Sequence, residues 1–144
     1  MKAIILAAGR GSRMKDLTDD IPKCLVEVHG KTLLDRQITS LNEAGVTEIA
    51  IVTGYKREQL NNRGLKEFHN ARWSSTNMVS SLACAEDWLG KEPCLISYSD
   101  IFYEPTAVEI LLNTDLDIAV LYDENWKSLW TRRFGDPLLD AETF

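Results

Sequence analysis

Phosphate chemistry is the first thing the chain's residue types suggest. "AAGRGSRM" (7–14) places Gly9 and Gly11 beside Arg10 and Arg13, and "IPKCLVEV" (21–28) brings Lys23 directly after Pro22. Glycines let a backbone approach an anion closely, and successive N–H groups form a concave anion site. Arginine adds a planar fork that matches phosphate oxygens. Pro22 fixes the backbone, so Lys23 leaves the loop in a defined direction and can reach back over it as a point charge. A tight turn with solvated arginines and a surface lysine would use the same residues, so spacing alone leaves both readings open. The loop does not complete the dinucleotide-binding pattern, because Met14 stands where G-x-G-x-x-G needs its third glycine. There is no G-K-[ST] either, so it is not a Walker A loop.

The surrounding elements would position these residues. The apolar run at 2–7 reads as a strand buried on both faces, followed by a loop over 8–22. "CLVEV" (24–28) reads as a short strand, "HGK" as a turn, and "TLLDRQITSLNEAG" as an amphipathic helix stopped by Gly45. Strands follow at 48–54 and 65–70, with a short helix at "KREQLNN" between them. Asn77 can cap a helix running through "MVSSLACAEDWL" to Gly90. "PCLISYSD" (93–100) reads as a strand ending on Asp100, and Pro105 fits the first turn of a helix through "TAVEILLN". "DIAVLYD" (117–123) reads as one more strand, ending on Asp123, and residues 124–144 have no assignment. Buried strands alternating with helices imply an α/β fold, a three-layer αβα arrangement around a mostly parallel sheet. In such sheets ligands bind beyond the carboxyl ends of the strands. That rule alone selects residues 8–15, Gly54-Tyr55, Asp100 and Asp123.

Composition narrows the partners. The 144 residues suit one domain with a real core and carry a net charge of −6. That charge argues against a general nucleic-acid surface, so an anionic ligand must be met by the local cluster Arg10, Arg13, Lys15 and Lys23. Three cysteines without CxxC spacing read as thiols in a reducing compartment. The apolar start is too short for a membrane span, so a cytoplasmic location with no membrane partner is expected. His29 and His69 have no nucleophile placed beside them and read as structural.

Taken as a whole, "MKAIILAAGRGSRM…LTDDIPKCLVEVHGKTLLDRQI" is similar to the G-x-G-[ST]-R-(x)n-P-K signature of the nucleoside-triphosphate transferases, the sugar-nucleotide pyrophosphorylase-like enzymes. "GVTEIAIVTGYK" resembles their second strand and the "GY" that follows it. "HNARWSSTNMVSSLACA" and "SYSDIFYE" look more like the phosphocholine cytidylyltransferase branch than the sugar branch. The resemblance covers nearly the whole chain. It implies a Rossmann-like, GT-A-like nucleotidyltransferase domain over 1–144, with a partial acceptor region from about residue 101. Family members run considerably longer and carry a second metal-binding aspartate beyond this point, so the chain reads as short at its C-terminus.

The resemblance also implies roles. A nucleoside triphosphate, with CTP favoured, would be attacked at its α-phosphorus by a phosphate or phosphonate monoester such as phosphocholine, releasing pyrophosphate. Leu6, Ala7, Ala8, Gly9, Gly11 and Ser12 would cradle the nucleotide, with Arg13 on the departing phosphates and Lys23 beside the α-phosphate. Asp100 would bind Mg²⁺; Asp123 is a weaker second candidate that serves equally as a turn residue. Asn77 and Ser81 would contact the base or ribose, a role compatible with Asn77 as a helix cap. Trp126 and Trp130 are four apart and would share a helix face, suited to a quaternary ammonium in the acceptor pocket or simply to a core or interface. An unfinished sheet edge with exposed aromatics would favour a homodimer. A sugar-1-phosphate nucleotidyltransferase and a catalytically silent nucleotide-binding module are the alternatives.

Overall fold

The computed structural model describes residues 1–61, 63–90, 92–134 and 136. They fall into two compact units, Met1–Leu112 and Asn113–Phe144.

The first unit is built on a four-stranded, wholly parallel sheet. Its strands are β1 (Lys2–Ala7), β4 (Glu48–Thr53), β5 (Lys66–His69) and β6 (Cys94–Tyr98), in the order β5-β4-β1-β6. The side chains of β1 alternate between two core layers, as a strand covered on both faces requires. Ala3, Ile5 and Ala7 pack with Leu34, Leu41 and Val108. Ile4, with Leu6 and Ala8, packs against Ala50, Val52, Ala85 and Trp88 on the other face. The first layer belongs to helices α1 (Leu33–Glu43) and α4 (Pro105–Leu112); the second belongs to α2 (Met78–Ala83) and α3 (Glu86–Leu89). This is the expected αβα sandwich.

Local signals account for the helix ends. Thr32 caps α1: its Oγ1 accepts from the Asp35 N–H at 3.0 Å and donates to the Asp35 carboxylate at 2.6 Å. At the other end Gly45 turns left-handed at φ +86°. The N–H groups of Gly45 and Val46 then close on the carbonyls of Asn42 and Leu41 at 2.9 and 2.8 Å, a Schellman stop. Pro105 opens α4, as its fixed φ and missing N–H favour. No described helix is long and apolar enough to cross a membrane.

Four expectations are corrected. "CLVEV" is not one strand. Lys23–Leu25 form a 3-10 turn, in which the N–H groups of Leu25 and Val26 close on the carbonyls of Pro22 and Lys23. Those groups are therefore unavailable to a ladder. Only β2 (Glu27–Val28) pairs, antiparallel with β3 (Lys31–Thr32), across a two-residue turn with His29 at φ +50° and Gly30 at φ +73°. "KREQLNN" closes only a 3-10 turn over Arg57–Leu60. The helix after Asn77 is interrupted at Cys84-Ala85, where i→i+3 hydrogen bonds tighten the chain before α3.

The fourth correction lies in the second unit, where 117–123 is not a strand. Ile118 is 84% exposed and no neighbouring strand pairs with it among the described residues, so β-branched composition alone does not make a strand there. Asp123 then ends no strand. Its carboxylate accepts from the Asn125 N–H at 2.8 Å and leads into helix α5 (Trp126–Arg133), the turn role open to it from sequence. The previously unassigned tail thus contains a helix; residues 135 and 137–144 lie outside the described residues.

The core makes a thiol prediction. Cys24 is buried, and desolvation pushes its thiol up to about 12, whereas Cys84 is exposed. Its thiolate is therefore absent at about pH 8. Ellman's reagent should label Cys84 in the folded chain and reach Cys24 only after urea unfolding. Rapid labelling of Cys24 in the native chain, mapped by mass spectrometry, would contradict this packing.

Candidate functional site

The chain leaves β1 through α1 to β4 and β5, then returns to β6 on the opposite side of β1. The switch point therefore lies between the carboxyl ends of β1 and β6, where such sheets bind ligands. A cleft of about 340 Å³ opens there. Leu6, Ala8, Gly9, Gly11, Ser12, Arg13, Lys23, Asn77, Ser81 and Asp100 all line it. Of the residues expected at the nucleotide site, only Ala7 is outside the lining, because strand alternation turns its side chain into the opposite core layer.

The loop over the cleft is held by contacts that explain its composition. Gly11 sits at φ +71°, and a Cβ there would meet the Lys23 side chain at 2.8 Å from Cδ and 3.0 Å from Cβ. The lysine stem therefore crosses the loop at the one residue that leaves room for it. A Cβ on Gly9 would meet nothing within 4 Å, so the backbone there faces open cleft. Thr18 is fully buried under the loop, its hydroxyl within hydrogen-bond distance of the carbonyls of Gly11 at 3.1 Å and Lys15 at 3.2 Å. On the outer side, Arg10 pairs with Asp19 at 2.6 Å, and the Tyr55 hydroxyl donates to the Asp19 carbonyl at 2.6 Å. The hydrogen bond and charge of Asp19 raise the Arg10 pKa further. Arg10 thus braces the loop and is not among the cleft-lining residues.

Lys23 Nζ lies 2.5 Å from Asp100 Oδ2, joining the two sides of the cleft. Asp100 follows β6 on a turn whose Ser99 N–H donates to the Leu6 carbonyl at 3.2 Å. Asn77 caps α2: its Oδ1 accepts from the Ser80 N–H at 3.0 Å, which leaves Nδ2 outside the cap. Ser81 lines the cleft, but its hydroxyl donates to the Asn77 carbonyl at 3.2 Å and accepts from Asn70 Nδ2 at 3.0 Å. It supports Asn77 more than it offers a free group. No set of three His, Cys, Asp or Glu side chains suited to a metal occurs among the described residues.

Trp73, Thr76, Met78, Tyr98 and Ser99 also line the cleft. Tyr98 and Ser99 were within reach of the strand-end rule, since they precede Asp100. Trp73 lies outside that rule. It is placed by Gly54, where a Cβ would meet the Ala8 carbonyl at 2.5 Å and Trp73 Cβ at 2.6 Å. Buried Asn70, one residue beyond β5, ties Thr76 and Ser81 together through Nδ2 at 2.9 and 3.0 Å. Trp126 and Trp130 lie on α5 of the second unit, where Trp130 packs near Phe134 with ring centroids 6.5 Å apart. Their place in an acceptor pocket stays an expectation of the resemblance.

A parallel αβα sheet with a glycine-arginine loop, a lysine and a strand-end aspartate around one cleft defines a nucleotidyltransferase-type domain. The chain belongs to the MobA-like NTP transferase domain family, whose model matches residues 3–141. It is 43% identical to a CTP:phosphoglutamine cytidylyltransferase of Campylobacter jejuni over 99% of its own length and 60% of that protein. It is 31% identical to a choline-phosphate cytidylyltransferase of Streptococcus pneumoniae over 94% of its length and 60% of that protein. Among solved structures, the CTP:phosphocholine cytidylyltransferase of Streptococcus pneumoniae aligns with a TM-score of 0.65 at 32% identity, over 73% of this chain and 49% of that one. The chain thus spans about three-fifths of the length of these curated relatives.

Gly11→Ala tests the loop geometry. The added methyl both strains a left-handed φ and displaces the Lys23 stem. Nucleoside-triphosphate binding should weaken roughly tenfold or more while far-UV circular dichroism stays unchanged. Unchanged affinity by calorimetry would refute the contact.

Proposed function

We propose that the domain transfers CMP from CTP to a small phosphorylated acceptor and releases pyrophosphate. The observation that carries this reading is the Lys23–Asp100 pair at 2.5 Å, set directly against the Gly11 loop in the cleft between β1 and β6. The names of the similar cytidylyltransferases support CTP as donor and a phosphoryl group on a small polar carrier as acceptor.

An acceptor oxygen attacks the α-phosphorus, and the bond from that phosphorus to the oxygen bridging to the β-phosphorus breaks. The electron pair leaves with pyrophosphate. Such a reaction asks for alignment and charge neutralisation more than for acid-base chemistry. The backbone of Gly9–Gly11 and Arg13 bind the triphosphate, with Arg13 on the departing end. Lys23 neutralises the oxygens of the α-phosphate and the incoming acceptor as charge develops. Asn77 Nδ2 is the group available for a base edge.

The donor set fits a magnesium ion of one kind. A lone carboxylate at the cleft cannot form an all-protein cage, but Mg²⁺ is commonly held by one or two carboxylates with substrate phosphates and waters. Asp100 is the residue that would hold it. When bound, the ion supplies charge neutralisation across the phosphates.

A second reading, nucleotide binding without turnover, is favoured by Asp100 being the one carboxylate among the described residues that lines the cleft. Pyrophosphate release separates the two. The chain should release pyrophosphate with CTP and phosphocholine or phosphoglutamine, and not with glucose-1-phosphate. Response to glucose-1-phosphate alone would overturn the acceptor class, and Mg²⁺-dependent CTP binding without any release would establish the second reading. In an active chain, Lys23→Ala and Asp100→Ala should each lower turnover at least about a hundredfold. Intact turnover in both would remove the mechanism.

A further inference from the structure

Helix α1 presents Leu33, Leu34 and Leu41 to the core, yet Gln37 lies on the same buried side at 0% exposure. Burying a primary amide is unfavourable unless its hydrogen bonds to water are replaced. Here they are replaced by one loop. Gln37 Nε2 donates to the Tyr98 carbonyl at 2.7 Å and also to the Ile101 carbonyl. These two carbonyls bracket Asp100. Gln37 Oε1 is reached by the Ser97 hydroxyl at 3.5 Å, and one turn further along α1 the Ser40 hydroxyl donates to the Tyr103 carbonyl at 2.5 Å. Gln37 itself does not line the cleft.

An amide has two N–H donors, and this one uses them on the residues before and after the aspartate turn. The backbone that carries Asp100 is thereby fixed to a core helix on both sides of the carboxylate. Apolar packing alone would be satisfied by leucine or methionine at this position. The amide is explained by the two carbonyls it restrains.

We propose that Gln37 is a positioning residue for Asp100: it locks the 98–101 turn so that the carboxylate stands at the cleft, where it would meet a metal ion. This rests on the reading of Asp100 as the metal carboxylate. Partners of a metal ligand that hold its orientation typically govern metal affinity by roughly tenfold or more. The Gly9–Arg13 loop, which the proposed function assigns to the triphosphate, lies on another segment than the turn that Gln37 holds.

The test is calorimetric titration of the 144-residue chain with CTP, once in chelator and once in Mn²⁺. In the parent chain Mn²⁺ strengthens CTP binding, and Asp100→Asn removes that enhancement. Gln37→Met should cut the enhancement roughly tenfold while leaving CTP binding in chelator unchanged. If Gln37→Met does not fold, Gln37→Asn carries the same test, because it keeps an amide but falls short by one methylene. Enhancement that is absent in the parent or survives Asp100→Asn overturns the metal reading, and this inference with it. Enhancement lost in Asp100→Asn but full in the Gln37 variant overturns the Gln37 assignment alone. Equal loss of CTP binding in chelator and in Mn²⁺ would make Gln37 general core support, and so also overturn it.

Discussion

The close passage of Lys23 across Gly11 is the constraint around which the cleft is built. A side chain at residue 11 would occupy the path of the lysine stem. With that path open, the ammonium reaches the carboxylate after β6, and three segments distant in sequence converge on one point. The supports follow from it. Thr18 lies under the Gly11 carbonyl, Arg10 and Tyr55 fasten the outer side of the loop to Asp19, and the 3-10 turn at Lys23–Leu25 sets where the lysine starts.

The pair itself is a loose fastening. Lys23 and Asp100 keep 20% and 35% of their side-chain surface exposed, so water screens much of their attraction. Partly exposed pairs contribute about 1 kcal/mol or less. Either side can therefore exchange the other for another opposite charge at small cost. The rigid parts of the site are the backbone turns, and the charged ends are the adjustable parts.

Much of this was legible in the sequence. Apolar runs at 2–7 and 48–54 marked two of the parallel strands, the more polar stretches 65–70 and 93–100 the other two, each within about two residues, and Thr32, Gly45, Asn77 and Pro105 marked helix ends through chemistry that acts locally. The strand-end rule found the loop, Asp100 and Tyr55. What stayed hidden depended on distant partners. Residues 117–123 have strand composition but no strand beside them, and composition cannot report a missing neighbour. Lys23–Leu25 chose a turn over a ladder because their own carbonyls were nearer. Trp73, Asn70 and Gln37 carry no local motif, since each is defined by what packs on it from elsewhere in the chain. Ala7 stands apart from its neighbours for a simpler reason: a strand presents only every second side chain to the cleft.

The sheet order has a consequence for the order in which the molecule can be assembled. β1 is synthesised first but occupies an interior position, paired with β4 on one side and with β6 on the other. Lys2 registers with Glu48 and also with Cys94, so the second pairing closes a loop about twice as long as the first. Until residue 98 has left the ribosome, the most apolar strand of the protein has one open flank. The pairing of β6 with β1 is also what brings Asp100 to Lys23, so the cleft is completed as the interior strand gains its second neighbour.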